Sequence, residues 1–264
     1  MTDRLSAFVR EAGSGPAVVC VHCNASSSSQ WRGLMEQLAP RHRVLAPDLY
    51  GAGKTPAWPL DRTMTLRDDV DLLAGVLDAA GDGCVLVGHS YGAAVAMRAA
   101  LQRPRQVRAL ALYEPTLFSV IEQEGGPPND ADGIRDTGVR ARAALGQGRN
   151  DLAAREFIDY WMGPGSFGRM PPERQAPIAA AMPGLWHWWP ALSTDPTPLA
   201  GWAQLAMPVL YMVGERSPRS AHGVAERLLR VLPAARVHRF DKLGHMGPVT
   251  HPDVVNAVIG DFLA

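Results

Sequence analysis

The sequence has no excess charge of either sign and no long hydrophobic run. Lys and Arg number 26 and Asp and Glu number 26 among 264 residues, so the formal net charge is zero. A surface that binds nucleic acid through a general positive field needs a basic excess, so we expect no nucleic-acid partner. No stretch of about 20 apolar residues is free of charge, so we expect no membrane-spanning helix. The hydrophobic share of 47% excludes an intrinsically disordered chain.

Cysteine is scarce, and its spacing predicts neither a disulfide framework nor a metal site. The three cysteines are Cys20, Cys23 and Cys84, and an odd number is a poor basis for disulfide pairing. Cys20 and Cys23 have C-x-x-C spacing, but no second such pair or His pair completes a zinc site. No Gly-rich dinucleotide motif follows a predicted strand, and no His/Asp/Glu cluster has the spacing of metal ligands, so we expect no cofactor and no metal. The first 16 residues lack the apolar core of a signal peptide, which favours a cytoplasmic location.

Short apolar strands and helical segments alternate along most of the chain. The strands are expected near residues 17–22, 43–47, 84–87, 107–112, 209–213 and 236–240, with helical spacing in between. Such alternation predicts an α/β fold whose mostly parallel sheet is covered by helices on both faces.

The alternation breaks between residues 115 and 202. This segment is rich in Gly and Pro, is helical in parts, and holds five of the seven tryptophans. We interpret it as a helical lid inserted between two strands of one sheet. Residues 1–114 and 203–264 are then the core domain, and residues 115–202 are the lid.

The strongest motif is Gly88-His89-Ser90-Tyr91-Gly92, which fits the G-x-S-x-G pattern of a nucleophile elbow. An apolar strand precedes it and an Ala-rich helix follows, which is the context that the pattern requires. The glycines allow a sharp strand-to-helix turn that exposes the serine Oγ, and the helix N-terminus stabilises negative charge that develops beside it. The simpler alternative is a Gly-rich turn with an exposed serine.

Three further segments accompany this motif, and together they make the chain similar to the α/β-hydrolase superfamily. Residues 19–34 (VCVHCNASSSSQWRGL) resemble the family's oxyanion loop, residues 44–56 (VLAPDLYGAGKTP) its Pro-Asp-x-x-Gly-x-Gly turn, and residues 240–248 (FDKLGHMGP) its late Gly-His segment. The resemblance covers essentially the whole chain outside 115–202. It implies an α/β-hydrolase fold with the helical lid inserted after the strand that follows the elbow helix. It also implies a serine hydrolase with a catalytic triad.

A serine needs a general base to act as a nucleophile, and the resemblance assigns that role to His245. His245 follows the last predicted strand in a Gly-flanked loop, from which it can reach Ser90. The alternative is an ordinary surface-loop histidine. We expect His89 to point away from Ser90 because of the elbow geometry, and His22 to brace the oxyanion loop.

The carboxylate that should orient His245 is less plainly marked. The resemblance implies an Asp after the strand that follows the insertion, but Ser217 stands at that position and cannot supply a charge. Some family members place the acid one strand earlier, where this chain has Glu114 at the carboxyl end of a predicted strand. Active-site groups gather at that edge of α/β sheets. We predict that Glu114 is the acid, and Glu215 is the alternative. The simpler interpretation is that Glu114 is a salt-bridged loop residue that belongs to no triad.

The oxyanion hole requires two backbone N–H groups directed at the developing charge. The resemblance assigns one to Tyr91, which follows the nucleophile, and the other to Asn24 in the loop after His22. Cys23 stands where the family usually has Gly, which narrows the backbone angles open to this loop. We expect Cys23 to be a packed side chain rather than a second nucleophile.

Aromatic residues, mostly of the lid, are expected to form the apolar wall of a substrate pocket. The predicted pocket residues are Trp31, Trp161, Trp186, Trp188 and Trp189. The simpler alternative is that the lid tryptophans only pack the lid onto the core.

We therefore predict a serine-dependent hydrolase that acts on a small, partly apolar carboxylic ester or related acyl compound. One alternative is a non-hydrolytic small-molecule binding protein on the same fold. Another is a cofactor-free lyase or perhydrolase that uses the same residues. The sequence indicates neither the natural substrate nor the oligomeric state.

Overall fold

A seven-stranded sheet forms the centre of the molecule. The computed structural model describes residues 6–59, 62–185 and 188–264. The strands are β1 (Val9–Ala12), β2 (Ala17–Val21), β3 (Arg43–Pro47), β4 (Cys84–His89), β5 (Val107–Tyr113), β6 (Val209–Gly214) and β7 (Ala235–Phe240). Their order across the sheet is β1-β3-β2-β4-β5-β6-β7, and every neighbouring pair is parallel except β1 with β3. The predicted mostly parallel sheet is thereby confirmed.

Helices lie between the strands, as the alternation of the sequence predicts. Those before β5 are α1 (Arg32–Leu38), α2 (Leu66–Leu72), α3 (Ala74–Ala80) and α4 (Tyr91–Gln102). Those between β5 and β6 are α5 (Ser119–Glu122), α6 (Asp132–Gly146), α7 (Asn150–Met162), α8 (Ser166–Arg169), α9 (Pro172–Leu185) and α10 (Trp188–Ser193). Those after β6 are α11 (Arg219–Val231), α12 (Gly247–Thr250) and α13 (Pro252–Leu263). Two short 3-10 helices, Ser28–Trp31 and Leu199–Gln204, precede α1 and β6. Within the described ranges, none of these helices is long and apolar enough to cross a membrane.

The sheet separates two hydrophobic cores. Val18 and Cys20 of β2 belong to the core that α1 and α13 cover, whereas Val19 and Val21 belong to a larger core with α2, α3, α4, α11 and the inserted helices. Because successive strand side chains point to opposite faces, the two cores lie on opposite sides of the sheet. Burial on both faces explains why the central strands are nearly continuous apolar runs.

The helices α5–α10 form one inserted region between β5 and β6, and a buried ion pair attaches its end to the core. The guanidinium of Arg98 in α4 bonds the carboxylate of Asp195 and lies 2.5 Å from the hydroxyl of Thr197. Both charged side chains are largely shielded from water. The helical insertion at this point of the sheet agrees with the sequence analysis, while the exact division into core and lid domains stays a prediction.

Candidate active site

Ser90 lies at the turn between β4 and α4 and has backbone angles of φ 57° and ψ −119°. A non-glycine residue with positive φ is strained, and the surrounding backbone holds it there, since the Ser90 N–H donates to the carbonyl of Tyr113 at 2.9 Å. A Cβ on Gly88 would lie 2.5 Å from Ala93 Cα, so only glycine fits at that position. The turn therefore presents the Ser90 side chain at the carboxyl edge of the sheet, where α4 begins.

His245 connects Ser90 to Glu114 through its two ring nitrogens. Its Nε2 is 2.8 Å from Ser90 Oγ, and its Nδ1 is 2.7 Å from Glu114 Oε2. A carboxylate only accepts, so Nδ1 carries the proton and Nε2 is free to accept the hydroxyl proton of Ser90. All three side chains are buried, with Ser90 6% exposed, His245 1% and Glu114 0%. Such an arrangement can take a proton from a serine and stabilise the imidazolium that results.

Hydrogen-bond donors at the end of β6 and in the loop after it hold the carboxylate of Glu114. Its Oε1 accepts from the backbone N–H of Gly214 and from the hydroxyl of Ser217, both at 2.6 Å. Ser217 stands where an Asp was expected, and it orients the carboxylate instead of supplying one. Glu114 has a positive φ of 44°, a second strained position at the end of a strand. The alternative acid, Glu215, is exposed and pairs with Arg239 at 3.0 Å.

The loop after β2 is braced by His22. Its Nε2 accepts from the backbone N–H of Leu49 at 3.0 Å, and its Nδ1–H donates to the carbonyl of Cys23 at 2.7 Å. Burial lowers the pKa of His22, which favours the neutral ring that this pattern needs. Asn24, further along the loop, lines the same cavity as the nucleophile. Tyr91 is the first residue of α4, where a backbone N–H has no partner within the helix.

A chain of hydrogen bonds joins this loop to the loop that carries His245. The backbone N–H of Cys23 donates to Gln30 Oε1 at 3.0 Å, so Gln30 Nε2 is the donor to His89 Nδ1, 3.1 Å away. His89 therefore carries its proton on Nε2, from which it donates to the carbonyl of His245 at 2.8 Å. Burial and the nearby His245 hold the pKa of His89 well below its usual value, so the ring stays neutral. Sequence reasoning missed this link, because Gln30 and His89 are 59 positions apart.

The three cysteines are free and buried. Burial raises the pKa of the Cys23 thiol to about 12, so almost no nucleophilic thiolate exists near neutral pH. Cys23 therefore acts as a packed side chain of the loop. Among the residues that the structure describes, no group of three or more His, Cys, Asp or Glu side chains could hold a metal ion.

A cavity of about 70 Å³ lies beside Ser90 under the inserted helices. Side chains of these helices make most of its wall, among them Ile134, Ala141, Leu145, Phe157, Met182 and Leu192. The polar residues of the wall are Ser90, Asn24, Thr116 and Thr137. No charged side chain of the described part of the chain contributes to the wall, so the cavity suits an uncharged, mainly apolar group.

Two of the tryptophans predicted to form the pocket line this cavity, namely Trp161 and Trp189. Trp188 is buried nearby and packs on Tyr91, with the ring centroids 5.5 Å apart. It therefore supports the elbow rather than the cavity wall. Trp186 lies outside the described residues.

The structure corrects the prediction for Trp31. This residue ends the 3-10 helix that leads into α1, and it is only 1% exposed within the core under α1 and α13. The cavity belongs to the opposite side of the sheet, where the inserted helices pack. Trp31 cannot form a pocket wall from that position, because the sheet lies between it and the cavity.

A buried carboxyl supports the residue that follows Ser90. Asp69 of α2 accepts a hydrogen bond from the hydroxyl of Tyr91 in the interior of the protein. Burial raises the pKa of Asp69 to about 7, although the hydrogen bond from Tyr91 opposes this change. Burial beside Asp69 also raises the pKa of Tyr91 well above its usual value. The free energy of unfolding should therefore depend on the protonation of Asp69.

The Asp69→Asn variant should become more stable than the wild type by a margin that grows as the pH rises, because the wild type loses stability. Unfolded Asp69 loses its proton near pH 4, whereas folded Asp69 keeps it until about pH 7, so the wild type is destabilised as the pH rises through this window. Asparagine does not titrate. The free energy of unfolding of the variant minus that of the wild type should therefore grow by about 2–3 kcal/mol between pH 5 and pH 8.

Urea unfolding of both proteins at the two pH values measures this difference. Asp71→Asn, on the exposed side of the same helix, is the matched control and should leave the pH dependence as it is in the wild type. A difference that stays constant between pH 5 and pH 8 would show that Asp69 is not protonated in the folded protein at pH 5.

Comparison with known proteins places the chain among proteins of one fold. A family model described as alpha/beta hydrolase fold matches residues 16–252. Lipase LipV of Mycobacterium tuberculosis is 32% identical over 270 residues, which cover 95% of this chain and 94% of that lipase. An epoxide hydrolase of Caballeronia sordidicola is 40% identical over 113 residues, which cover 41% of this chain and only 34% of that enzyme.

A solved structure supports the same assignment over nearly the whole chain. An alpha/beta hydrolase from Sphaerobacter thermophilus superposes with a TM-score of 0.69 at 28% sequence identity, covering 98% of this chain and 96% of that one. The fold predicted from the sequence, a mostly parallel sheet flanked by helices with a helical insertion, is thereby confirmed.

Proposed function

The chain belongs to the α/β-hydrolase fold family, and on that premise we propose that it is a serine-dependent hydrolase of a small, partly apolar carboxylic ester or related acyl compound. The observation that carries this proposal is the continuous hydrogen-bond chain from Ser90 through His245 to Glu114 at the wall of an apolar cavity. A serine joined in this way to a buried histidine and carboxylate is activated for attack on a carbonyl carbon.

The first half of the reaction forms an acyl-enzyme. Ser90 Oγ attacks the carbonyl carbon of the ester while its proton passes to His245 Nε2. The carbonyl oxygen becomes an oxyanion, which the backbone N–H groups of Tyr91 and Asn24 stabilise. Glu114 stabilises the imidazolium through its bond to Nδ1–H and does not take the proton itself. The tetrahedral intermediate then breaks its bond to the leaving alcohol, which receives the proton from His245.

The second half returns the enzyme to its starting state. A water molecule gives a proton to His245 Nε2, and its oxygen attacks the acyl carbon bound to Ser90 Oγ. The same backbone N–H groups hold the second oxyanion. Cleavage of the bond to Ser90 releases the carboxylic acid, and Ser90 Oγ takes back the proton from His245.

The size and lining of the cavity favour a short, uncharged acyl group. An engineered apolar cavity of about 150 Å³ accommodates benzene, so the cavity of about 70 Å³ holds only a few heavy atoms. A carboxylate or ammonium on the acyl group would lose its hydration without gaining a charged partner from the described wall.

The nucleophile distinguishes acyl hydrolysis from epoxide hydrolysis, the activity named for the relative that matches only part of this chain. Attack of a serine hydroxyl on an epoxide carbon would produce an ether, which a general base and water do not cleave. Attack on an acyl carbon produces an ester, which the same residues can hydrolyse. Ser90 therefore favours acyl compounds as substrates.

Intact-mass labelling with a fluorophosphonate tests the proposal. The probe forms a stable phosphonyl adduct with an activated serine, so we expect one adduct on the wild type and none on Ser90→Ala. Adducts on both proteins would mean that another group is the nucleophile. A folded wild type that stays unlabelled would favour the non-hydrolytic binding protein.

A further inference from the structure

The face of the His245 ring is covered by Trp161, a residue of the last turn of α7. The two ring centroids are 3.8 Å apart and the ring planes differ by 24°, so the rings are stacked. His245 uses both ring nitrogens for hydrogen bonds in the plane of the ring. Trp161, only 5% exposed, adds a contact perpendicular to that plane and shields the ring from water.

Neighbouring side chains fix the position of the indole ring. Tyr160 and Phe157 meet Trp161 edge-on, with centroids at 4.9 Å and 6.4 Å. The Tyr160 hydroxyl is 2.6 Å from Ser220 Oγ at the start of α11, which is part of the core. Contacts from the inserted region and from the core therefore hold Trp161 over His245.

We propose that Trp161 stabilises the imidazolium that His245 becomes during the reaction, through cation–π attraction between the charged ring and the indole face. This inference rests on the proposed function, in which His245 takes the proton of Ser90. A cation within about 6 Å of a Trp face is attracted by the ring quadrupole, and more strongly where water is excluded. The neutral imidazole of the resting enzyme is attracted much less. The contact thus strengthens in the transition state, which is the condition for accelerating a reaction.

Among the described residues, Glu114 and His89 lie beside the His245 ring, and Arg216 and His251 line a pocket with Trp161 and the neighbouring Gly244. Glu114 meets Nδ1, Ser90 meets Nε2, and the ring of His89 at the end of β4 has its centroid 5.2 Å away. His89 stays neutral, because burial and the proximity of His245 hold its pKa well below the usual value. Glu114 and Trp161 are therefore the groups of the described site that favour the charged ring.

Two substitutions of Trp161 separate cation–π attraction from simple apolar contact. Leucine keeps an apolar side chain over His245 but has no π face, whereas phenylalanine keeps a weaker one. We expect Trp161→Leu to lower kcat by about threefold to thirtyfold. The acid limb of kcat/KM should move by about 0.4–1.5 pH units to lower pH, because the charged ring is less stable without the indole. Trp161→Phe should fall between the wild type and Trp161→Leu.

Trp189→Leu is the matched control. Trp189 lines the same cavity but lies against Phe118, with the centroids 5.7 Å apart, and not against His245. Its loss should change KM and leave the acid limb in place. If both Trp161 variants kept the wild-type acid limb and had the same kcat as each other, Trp161 would only pack against His245, and the proposal would be overturned.

A titration followed by ¹⁵N NMR of the histidine side chains tests the same contact without any substrate. His245→Asn identifies the signal of His245. We expect His245 to protonate at a lower pH in Trp161→Leu than in the wild type, and Trp161→Phe to show a smaller change in the same direction. If the leucine variant fails to fold, the phenylalanine variant alone tests the contact. Equal titration in the wild type and the variants would overturn the proposal. Absence of fluorophosphonate labelling, in contrast, would overturn only the proposed function.

Discussion

Glu114→Gln should lower kcat by about 10⁴-fold and leave the protein folded. The bonds that Oε1 accepts from the Gly214 N–H and the Ser217 hydroxyl will hold the amide oxygen of glutamine at that place, because an NH2 group cannot accept them. The NH2 group then faces His245 Nδ1 and donates to it. The ring must carry its proton on Nε2, where it can no longer accept from the Ser90 hydroxyl. The wrong tautomer has a cost of this size in the serine proteases.

Hydrolysis of a short-chain p-nitrophenyl ester measures the effect, and circular dichroism verifies that the variant is folded. Glu215→Gln is the control, because Glu215 is exposed and pairs with Arg239, so its kcat should stay within about twofold of the wild type. The reverse pattern, a loss in Glu215→Gln and none in Glu114→Gln, would assign the acid role to Glu215.

The elbow can be predicted from the sequence because its requirements are local. Gly88 and Gly92 flank Ser90 within five residues, and the strand before and the helix after them are visible in the apolar pattern. The regions of His245 and Glu114 can also be predicted, since the carboxyl ends of parallel strands meet at one edge of a sheet. Their distances cannot, because the two contacts of His245 join residues 131 and 155 positions apart.

Other features depend on packing that the local sequence does not encode. Strand β1 has four residues, only partly buried, and so short a run has no apolar alternation that would identify it. Trp31 follows the oxyanion loop, but nothing near it shows which face of the sheet the next helix covers. The stacking of Trp161 on His245 is of the same kind, because only the folded insertion brings α7 over the loop after β7.

Gly92→Ala should lower kcat by about 10²–10³-fold although it changes none of the three residues in the Ser–His–Glu chain. A Cβ at Gly92 would lie 2.3 Å from the carbonyl oxygen of Val21 and 2.4 Å from that of His22. Both atoms belong to the backbone and cannot rotate away. The end of β2 and the loop after it must therefore shift away from α4.

That loop carries Asn24, whose N–H is the proposed second donor of the oxyanion hole. Loss of one such donor costs about 10²–10³ in kcat, and a shift of about 1 Å is enough for a loss of about 10². KM should change less, because the inserted helices form most of the cavity wall. Steady-state kinetics therefore distinguish a displaced donor from a damaged pocket.

Gly75→Ala controls for the added methyl group, because Gly75 lies exposed within α3 with no neighbour inside 4 Å of the new Cβ. It should raise the free energy of unfolding by about 0.5–1 kcal/mol and leave kcat unchanged. Gly92→Ala should instead lower the melting temperature, since overpacking costs about 1–3 kcal/mol.

A Gly92→Ala enzyme with wild-type kcat would mean that β2 yields without displacing its loop or that Asn24 is not the second donor. Asn24→Pro, which removes the backbone N–H, then decides between these two explanations, because a folded Asn24→Pro enzyme should lose kcat only if that N–H is a donor of the oxyanion hole.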